Sequence, residues 1–170
     1  KVDLPSRVAE SYWKIAGNLD QVGDHEAAAD NFEKAFAGYK AAAQKIQLFG
    51  DFYLDYSLYM KAWNEIESAK LAHCKEKYAL AMQHYERTSD LLKQSKLWGY
   101  LSSNFQAWSY LERAEDLSRK EKSEESIEEF NKAIKLFQES KNILKIEIFK
   151  ISRKDERNLA ERLIKASGIR

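Results

Sequence analysis

The chain has 170 residues, 44% of them hydrophobic and 32% charged, enough apolar content for one core or one run of repeats and more charge than an average globular domain. Its formal net charge of +1 excludes a bulk electrostatic pull on nucleic acid or on an anionic membrane. No apolar run approaches the ~20 residues that span a bilayer, no signal-peptide pattern is visible, and the one cysteine, Cys74, cannot form an internal disulfide, so a reduced, cytoplasmic setting is expected.

Six glycines and a single proline, Pro5, leave few turn formers, which predicts long helices and short connections. Asp3-Leu4-Pro5-Ser6 reads as a helix start, with Pro5 in the first turn and Asp3 or Ser6 as the cap. Val8, Tyr12, Ile15, Ala16 and Leu19 then recur at helical spacing. Gly23 fits a C-terminal cap and Asp24 the N-cap of the next helix. That second helix places Ala28, Phe32, Ala35, Phe36 and Tyr39 on one face and is predicted to reach about Leu48. After Gly50-Asp51 a third helix runs from about Asp51 to Cys74, with Phe52, Tyr53, Tyr56, Tyr59 and Trp63 along it. A tight turn near Lys75 to Lys77 leads to a fourth helix, about Tyr78 to Lys96, with Ala81, Tyr85, Leu91 and Leu92 inward. Gly99 interrupts near Trp98. A fifth helix from about Leu101 to Lys120 carries Phe105, Trp108, Leu111 and Ala114. Ser123 is expected to cap a sixth helix with Ile127, Phe130, Ala133, Ile134 and Phe137 on its apolar face, and Glu124 and Glu125 suit the positive end of its dipole.

The last 30 residues differ. From Lys141 to Arg170 nine Lys or Arg stand against four Asp or Glu, a local charge of +5 that leaves −4 on the remainder. Leu144, Ile146 and Ile148 alternate as in a strand, whereas Leu144, Ile148 and Ile151 fit a helix, which the preceding helices favour. The stretch from Ser152 to Asn158 is entirely polar, so a bend or an exposed segment is expected there. Leu159, Leu163 and Ala166 resume an apolar stripe. A capping helix over about 143–167 that covers the last pair is the preferred reading, and a basic face toward an acidic partner is the alternative.

The organising feature is an internal repeat. Ala62-Trp63-x-x-Ile66-Glu67-x-Ala69 returns 45 residues later as Ala107-Trp108-x-x-Leu111-Glu112-x-Ala114. At the same offset Tyr85 returns as Phe130, and Leu91 to Lys96 returns as Leu136 to Lys141. A fixed period of this size marks stacked supersecondary units. The unit resembles a tetratricopeptide repeat, a helix–turn–helix module of about 34 residues. The first unit carries the resemblance best: Tyr12, Ile15, Ala16 and Leu19 in the first helix, Gly23 at the turn, and Ala28, Phe32 and Ala35 in the second. Ala69, Ala81 and Tyr85 match in the second unit, and Ala114, Phe130 and Ala133 in the third, where Ser126 replaces a small residue. Glu76 and Glu121 stand where the family has its turn glycine, Lys40 and Gln138 where it has its closing proline. The longer period is similar to the elongated helical repeats of the soluble NSF attachment proteins. The resemblance implies an all-α, right-handed superhelix of three long αα hairpins (about 6–48, 51–96 and 98–141) plus the C-terminal helix, as one domain over 1–170.

No catalytic chemistry is legible. Gly-rich phosphate loops, HExxH, CxxC and GxSxG are absent from the sequence, so neither an enzyme nor a cofactor is expected. His73 and Cys74 are adjacent and diverge by about 100° on a helix, so a metal site is not expected either, and Cys74 reads as a small packing residue. Lys93 and Lys96 read as solvated helix ends. By resemblance, the concave groove that receives a peptide would be lined by Trp13 and Asp20 of the first unit; Trp63, Ile66, Lys70 and His73 of the second; and Trp108, Leu111, Glu115 and Arg119 of the third. Glu10, Gly17, Gln21, Cys74 and Ser118 share those faces. Ile66, Leu111 and Trp13 stand where the family's carboxylate-clamp form has lysine, so no such clamp is expected. Trp63 and Trp108 remain readable either as core or as groove. The expected function is a non-catalytic scaffold for a protein or peptide partner, with no nucleic acid and no membrane insertion. Self-assembly into a homo-oligomer, or a regulatory segment of a larger enzyme or sensor, stays open, and the start at Lys1 rather than Met is compatible with a piece of a longer protein.

Overall fold

The computed structural model describes residues 4–150 and 154–166, which are all-α. Seven helices lie within these residues: α1 (Leu4–Gln21), α2 (His25–Lys45), α3 (Gly50–Cys74), α4 (Tyr78–Lys93), α5 (Ser102–Arg119), α6 (Ser123–Lys150) and α7 (Lys154–Ala166). Short 3-10 turns at Gln47–Phe49 and Gly99–Leu101 precede α3 and α5. Each helix packs against its neighbours in the chain, from α1 on α2 through to α6 on α7, as successive helical hairpins do. Asp3, Ser152 and Ile151 lie outside the described residues. Among the described residues no helix is long and apolar enough to cross a membrane.

The hairpin turns after α1, α3 and α5 are one motif used three times. Gly23, Glu76 and Glu121 all adopt left-handed backbone, with φ of 80°, 54° and 59°. In each, the next amide reaches back five residues: Asp24 to the Leu19 carbonyl (3.0 Å), Lys77 to Ala72 (2.9 Å) and Lys122 to Leu117 (3.0 Å). This is the Schellman closure, which satisfies helix-end carbonyls and favours glycine at its left-handed residue. Glycine is present only in the first turn; the other two hold a glutamate against its steric preference. Replacing Glu121 with glycine is therefore expected to stabilise the protein by about 0.5–1 kcal/mol, the relief of the left-handed Cβ less the added freedom of the unfolded chain. A thermal melt checks this, and an unchanged or lower midpoint would refute it.

Close approach elsewhere depends on small side chains. A Cβ on Gly38 of α2 would lie 2.8 Å from Ala9 Cβ of α1, and the fully buried Ala9, Ala16, Ala28 and Ala35 continue that seam. Ser126 does the same between α5 and α6, donating its hydroxyl to the Ala114 carbonyl at 2.8 Å. Aromatic residues fill the centre. Trp98, from the α4–α5 connection, is buried and stacks on Tyr59 with centroids 4.1 Å apart. Asp55 of α3 holds that connection by accepting the Lys96 and Leu97 amides, both at 2.9 Å. A smaller cluster of Ala107, Ala133 and Phe137 joins α5 to α6.

Several sequence expectations change. Val8 and Ile15 of α1 and Ile127 and Ile134 of α6 are exposed rather than inward. Both helices carry more apolar surface than their neighbours cover. Helix α2 ends at Lys45 rather than near Leu48, and α4 at Lys93 rather than Lys96. Ser123 is the first residue of α6 and not its cap; the Lys122 carbonyl receives the Ser126 amide at 2.9 Å. Cys74 is exposed rather than packed, because it closes α3 beside the turn. No boundary falls near 141. Helix α6 continues to Lys150 with Leu144 fully buried, and α7 starts only at Lys154. Gly23 and the Asp24 cap are as the sequence implies, with the Ala27 amide donating to Asp24 Oδ1 at 3.1 Å.

Candidate functional site

A cleft of about 210 Å³ opens between α1, α3 and α7. Helical spacing builds its walls. Trp13, Gly17, Asp20 and Gln21 share one face of α1 at i, i+4, i+7 and i+8, and Tyr59 and Trp63 share one face of α3 at i, i+4. Phe32 of α2 forms the floor and stacks on Trp63 at 5.7 Å. Trp13 is fixed by edge-on contacts with Tyr39, Tyr56 and Tyr59 at 5.8–6.4 Å. A side chain at Gly17 would meet nothing within 4 Å of its Cβ, so the cleft is open at that point. The far wall is Leu159 and Arg162 of α7. Ala160 of α7 is fully buried, and Leu159, Leu163 and Ile164 pack against the main core.

An ionic network borders this cleft. Lys70 of α3 places its ammonium between two carboxylates, 2.5 Å from Asp20 Oδ1 of α1 and 2.9 Å from Glu67 Oε1. Glu67 is fully buried, and its other oxygen lies 2.7 Å from His25 Nδ1 at the start of α2. Burial pushes the Asp20 carboxyl up, but the hydrogen bond and charge of Lys70 more than reverse this and hold it below its ordinary value. For Glu67 burial prevails and the carboxyl is held above its ordinary value, with Lys70 and His25 opposing and Asp20 adding to the rise. Ligand atoms of Asp20, His25 and Glu67 lie within 4.8 Å of one another, a spacing that could hold a metal ion. The Lys70 ammonium already bridges the two carboxylates, so the cationic charge that an ion would bring is supplied by the chain itself. Lys70 Nζ also lies 5.7 Å from the Trp63 ring centroid.

The network has a partial copy one repeat later. Glu112 stands 45 residues after Glu67, is also buried, and meets His73 Nδ1 at 2.9 Å. Burial again raises its carboxyl, and His73 only partly offsets it. Glu115 occupies the place of Lys70, so the second site lacks the bridging ammonium. The third histidine, His84, lies 2.6 Å from Glu65 Oε2. There the hydrogen bond and charge of His84 overcome burial and hold the Glu65 carboxyl below its ordinary value. Each histidine therefore ties its helix to a glutamate on another.

The structure divides the groove residues expected from the sequence. Trp13, Asp20, Trp63 and Lys70 come together at the cleft and its rim, with Gly17 and Gln21. Ile66 does not: it is 2% exposed and belongs to the core, one turn behind Trp63. Trp108, half-buried, sits between Tyr85 (6.1 Å) and Phe137 (5.3 Å). Leu111 packs with it against the smaller cluster. Glu115 and Arg119 pair at 3.8 Å on an exposed part of α5, and Arg119 also reaches Glu76 and the Tyr78 hydroxyl. The two repeat tryptophans are thus neither plain core nor plain groove. Each lays one ring face on the preceding pair, and Trp63 also lines the cleft.

Leu159, Arg162, Glu67 and Glu112 were not among the expected site residues. The signal for the glutamates was a charged residue repeated inside an otherwise apolar motif. For α7 it was the opposite signs of charge on the last 30 residues and on the rest. No protein-family model matches this chain, and no curated protein or solved structure is significantly similar to it.

Proposed function

We propose that the chain is a non-catalytic helical-repeat scaffold, similar to tetratricopeptide-type arrays in its hairpin unit and wound as a right-handed superhelix. It holds an amphipathic segment of a protein partner in the cleft between α1 and α3. The observation that carries this reading is the cleft itself: an aromatic floor and walls from Phe32, Trp13, Tyr59 and Trp63, an ionic rim from Asp20 and Lys70, and a helix, α7, already seated against it. Preformed aromatic walls with a few placed charges suit helix-in-groove recognition, because little ordering remains to oppose binding.

Gly17 gives the test. Glutamine at this position fills the cleft, meets no atom within 4 Å of its Cβ, and removes a helix-interior glycine that costs about 1 kcal/mol. The variant is expected to melt at or above the parent temperature while losing the partner that the parent captures from its source cell. Capture of the same partner by a well-folded Gly17→Gln protein would place binding elsewhere.

A further inference from the structure

The far wall of the cleft is not part of the hairpin stack. It is the last described helix of the chain, and three observations set it apart. First, α7 has 13 residues, a length at which an isolated helix is marginal in water, so its helicity depends on its seat. Second, the seat is incompletely filled: the cleft of about 210 Å³ remains between Leu159 and Arg162 on one side and Trp13, Gly17 and Trp63 on the other. Third, α7 brings charge that suits the rim. The Asp20 carboxylate lines the cleft on one side and Arg162 lines it on the other.

We infer that α7 is a built-in, displaceable occupant of the α1–α3 cleft, and that the segment which replaces it is an amphipathic helix presenting a leucine and, three residues on, an arginine. Leu159 and Arg162 display that spacing in the chain's own occupant. Adjacent apolar residues at the positions of Leu163 and Ile164 would meet the core edge that those two now cover. The partner's arginine would take the place of Arg162 across the cleft from the Asp20 carboxylate, while Lys70 stays bound between Asp20 and Glu67. A partner helix gains access only when α7 leaves, so the intact chain binds more weakly than the cleft alone would. This inference rests on the groove reading above and adds to it the partner's chemistry and the regulation of the cleft.

The test uses the full chain and a fluorescein-labelled peptide with the sequence of residues 154–166. A Leu159→Glu/Leu163→Glu variant weakens the α7 seat, and Arg162→Glu does so without altering an apolar contact. Peptide binding by fluorescence anisotropy is expected to be at least tenfold tighter for either variant than for the intact chain. Equal affinity for the intact chain and the variants would overturn the displaceable-occupant inference and leave the groove reading standing. No binding by folded Arg162→Glu protein would overturn both. Light scattering accompanies the titration: a dimer of the intact chain that dissociates on peptide addition would show that α7 is exchanged between copies, and would overturn the intramolecular inference.

Discussion

Alanine in place of Trp98 is expected to remove about 3–5 kcal/mol of folding free energy, the range for truncating a large buried aromatic. The position is central although it lies between helices. The ring is 1% exposed, stacks on Tyr59 at 4.1 Å with an 11° interplanar angle, and meets Tyr56 edge-on at 4.9 Å. Its backbone amide donates to Ser95 Oγ at 2.9 Å, and the two residues before it are held by Asp55. Truncation would leave a void that these fixed neighbours cannot close, and would loosen the connection between α4 and α5. Because native stability is on the order of 5–15 kcal/mol, the variant loses a large share of it. Urea denaturation checks this. A loss below about 1 kcal/mol would show that the segment from Gln94 to Leu101 does not anchor the core.

The second large effect is electrostatic. Lys70→Met retains most of the side-chain stem but leaves Asp20 and Glu67 facing each other without their shared ammonium. Removing one partner of a buried ionic group costs about 3–5 kcal/mol; with Lys70 itself 29% exposed, the low end, about 3 kcal/mol at pH 7, is expected. The sign of its pH dependence follows from the carboxylates. In the parent, Asp20 is held below its ordinary value, so its contribution is present above that value and is lost as pH falls through the folded one. Glu67 is held above its ordinary value, so its contribution is full below that value and is lost as pH rises through the folded one. Without Lys70 both carboxyls are pushed up by burial and by each other. The variant's stability then recovers in acid as one of them takes a proton and donates a hydrogen bond to the other. Melting curves of parent and variant should converge as pH is lowered from 7 toward 4, and parallel curves would exclude the bridging role of Lys70.

Much of the architecture was legible because the turns repeat. Aligning the units placed Glu76 and Glu121 at the position of Gly23, and all three adopt the left-handed backbone that the motif demands. Helix faces were read less well at α1 and α6. In α1 the inward seam is Ala9 and Ala16, with Trp13 toward the cleft, while the larger Val8 and Ile15 face outward. Apolarity alone ranks those larger residues above the alanines, yet the close approach to Gly38 admits only the alanines. The ionic cluster was illegible for another reason. Asp20 and Lys70 are 50 residues apart, and His25 and Glu67 are 42 apart. Only the geometry of two hairpin turns brings them together, and no local pattern records that. The seat of α7 escaped notice likewise, since its apolar stripe fits the last pair as readily as the first.

That seat changes how the chain should come apart. Helices that touch only their neighbours form a nearly linear array, which frays from either end and folds quickly because its contacts are short in sequence. Leu159 and Arg162 face Trp13 and Gly17 across the cleft, and Leu159, Leu163 and Ile164 pack on the core that also holds Ala9 and Ala16, so the two ends of the chain share one core. Through that shared core, α1 is not a free end while α7 is in place. Release of α7 would then expose α1 as well, and amide hydrogen exchange in the two helices should quicken together although they lie at opposite ends of the sequence.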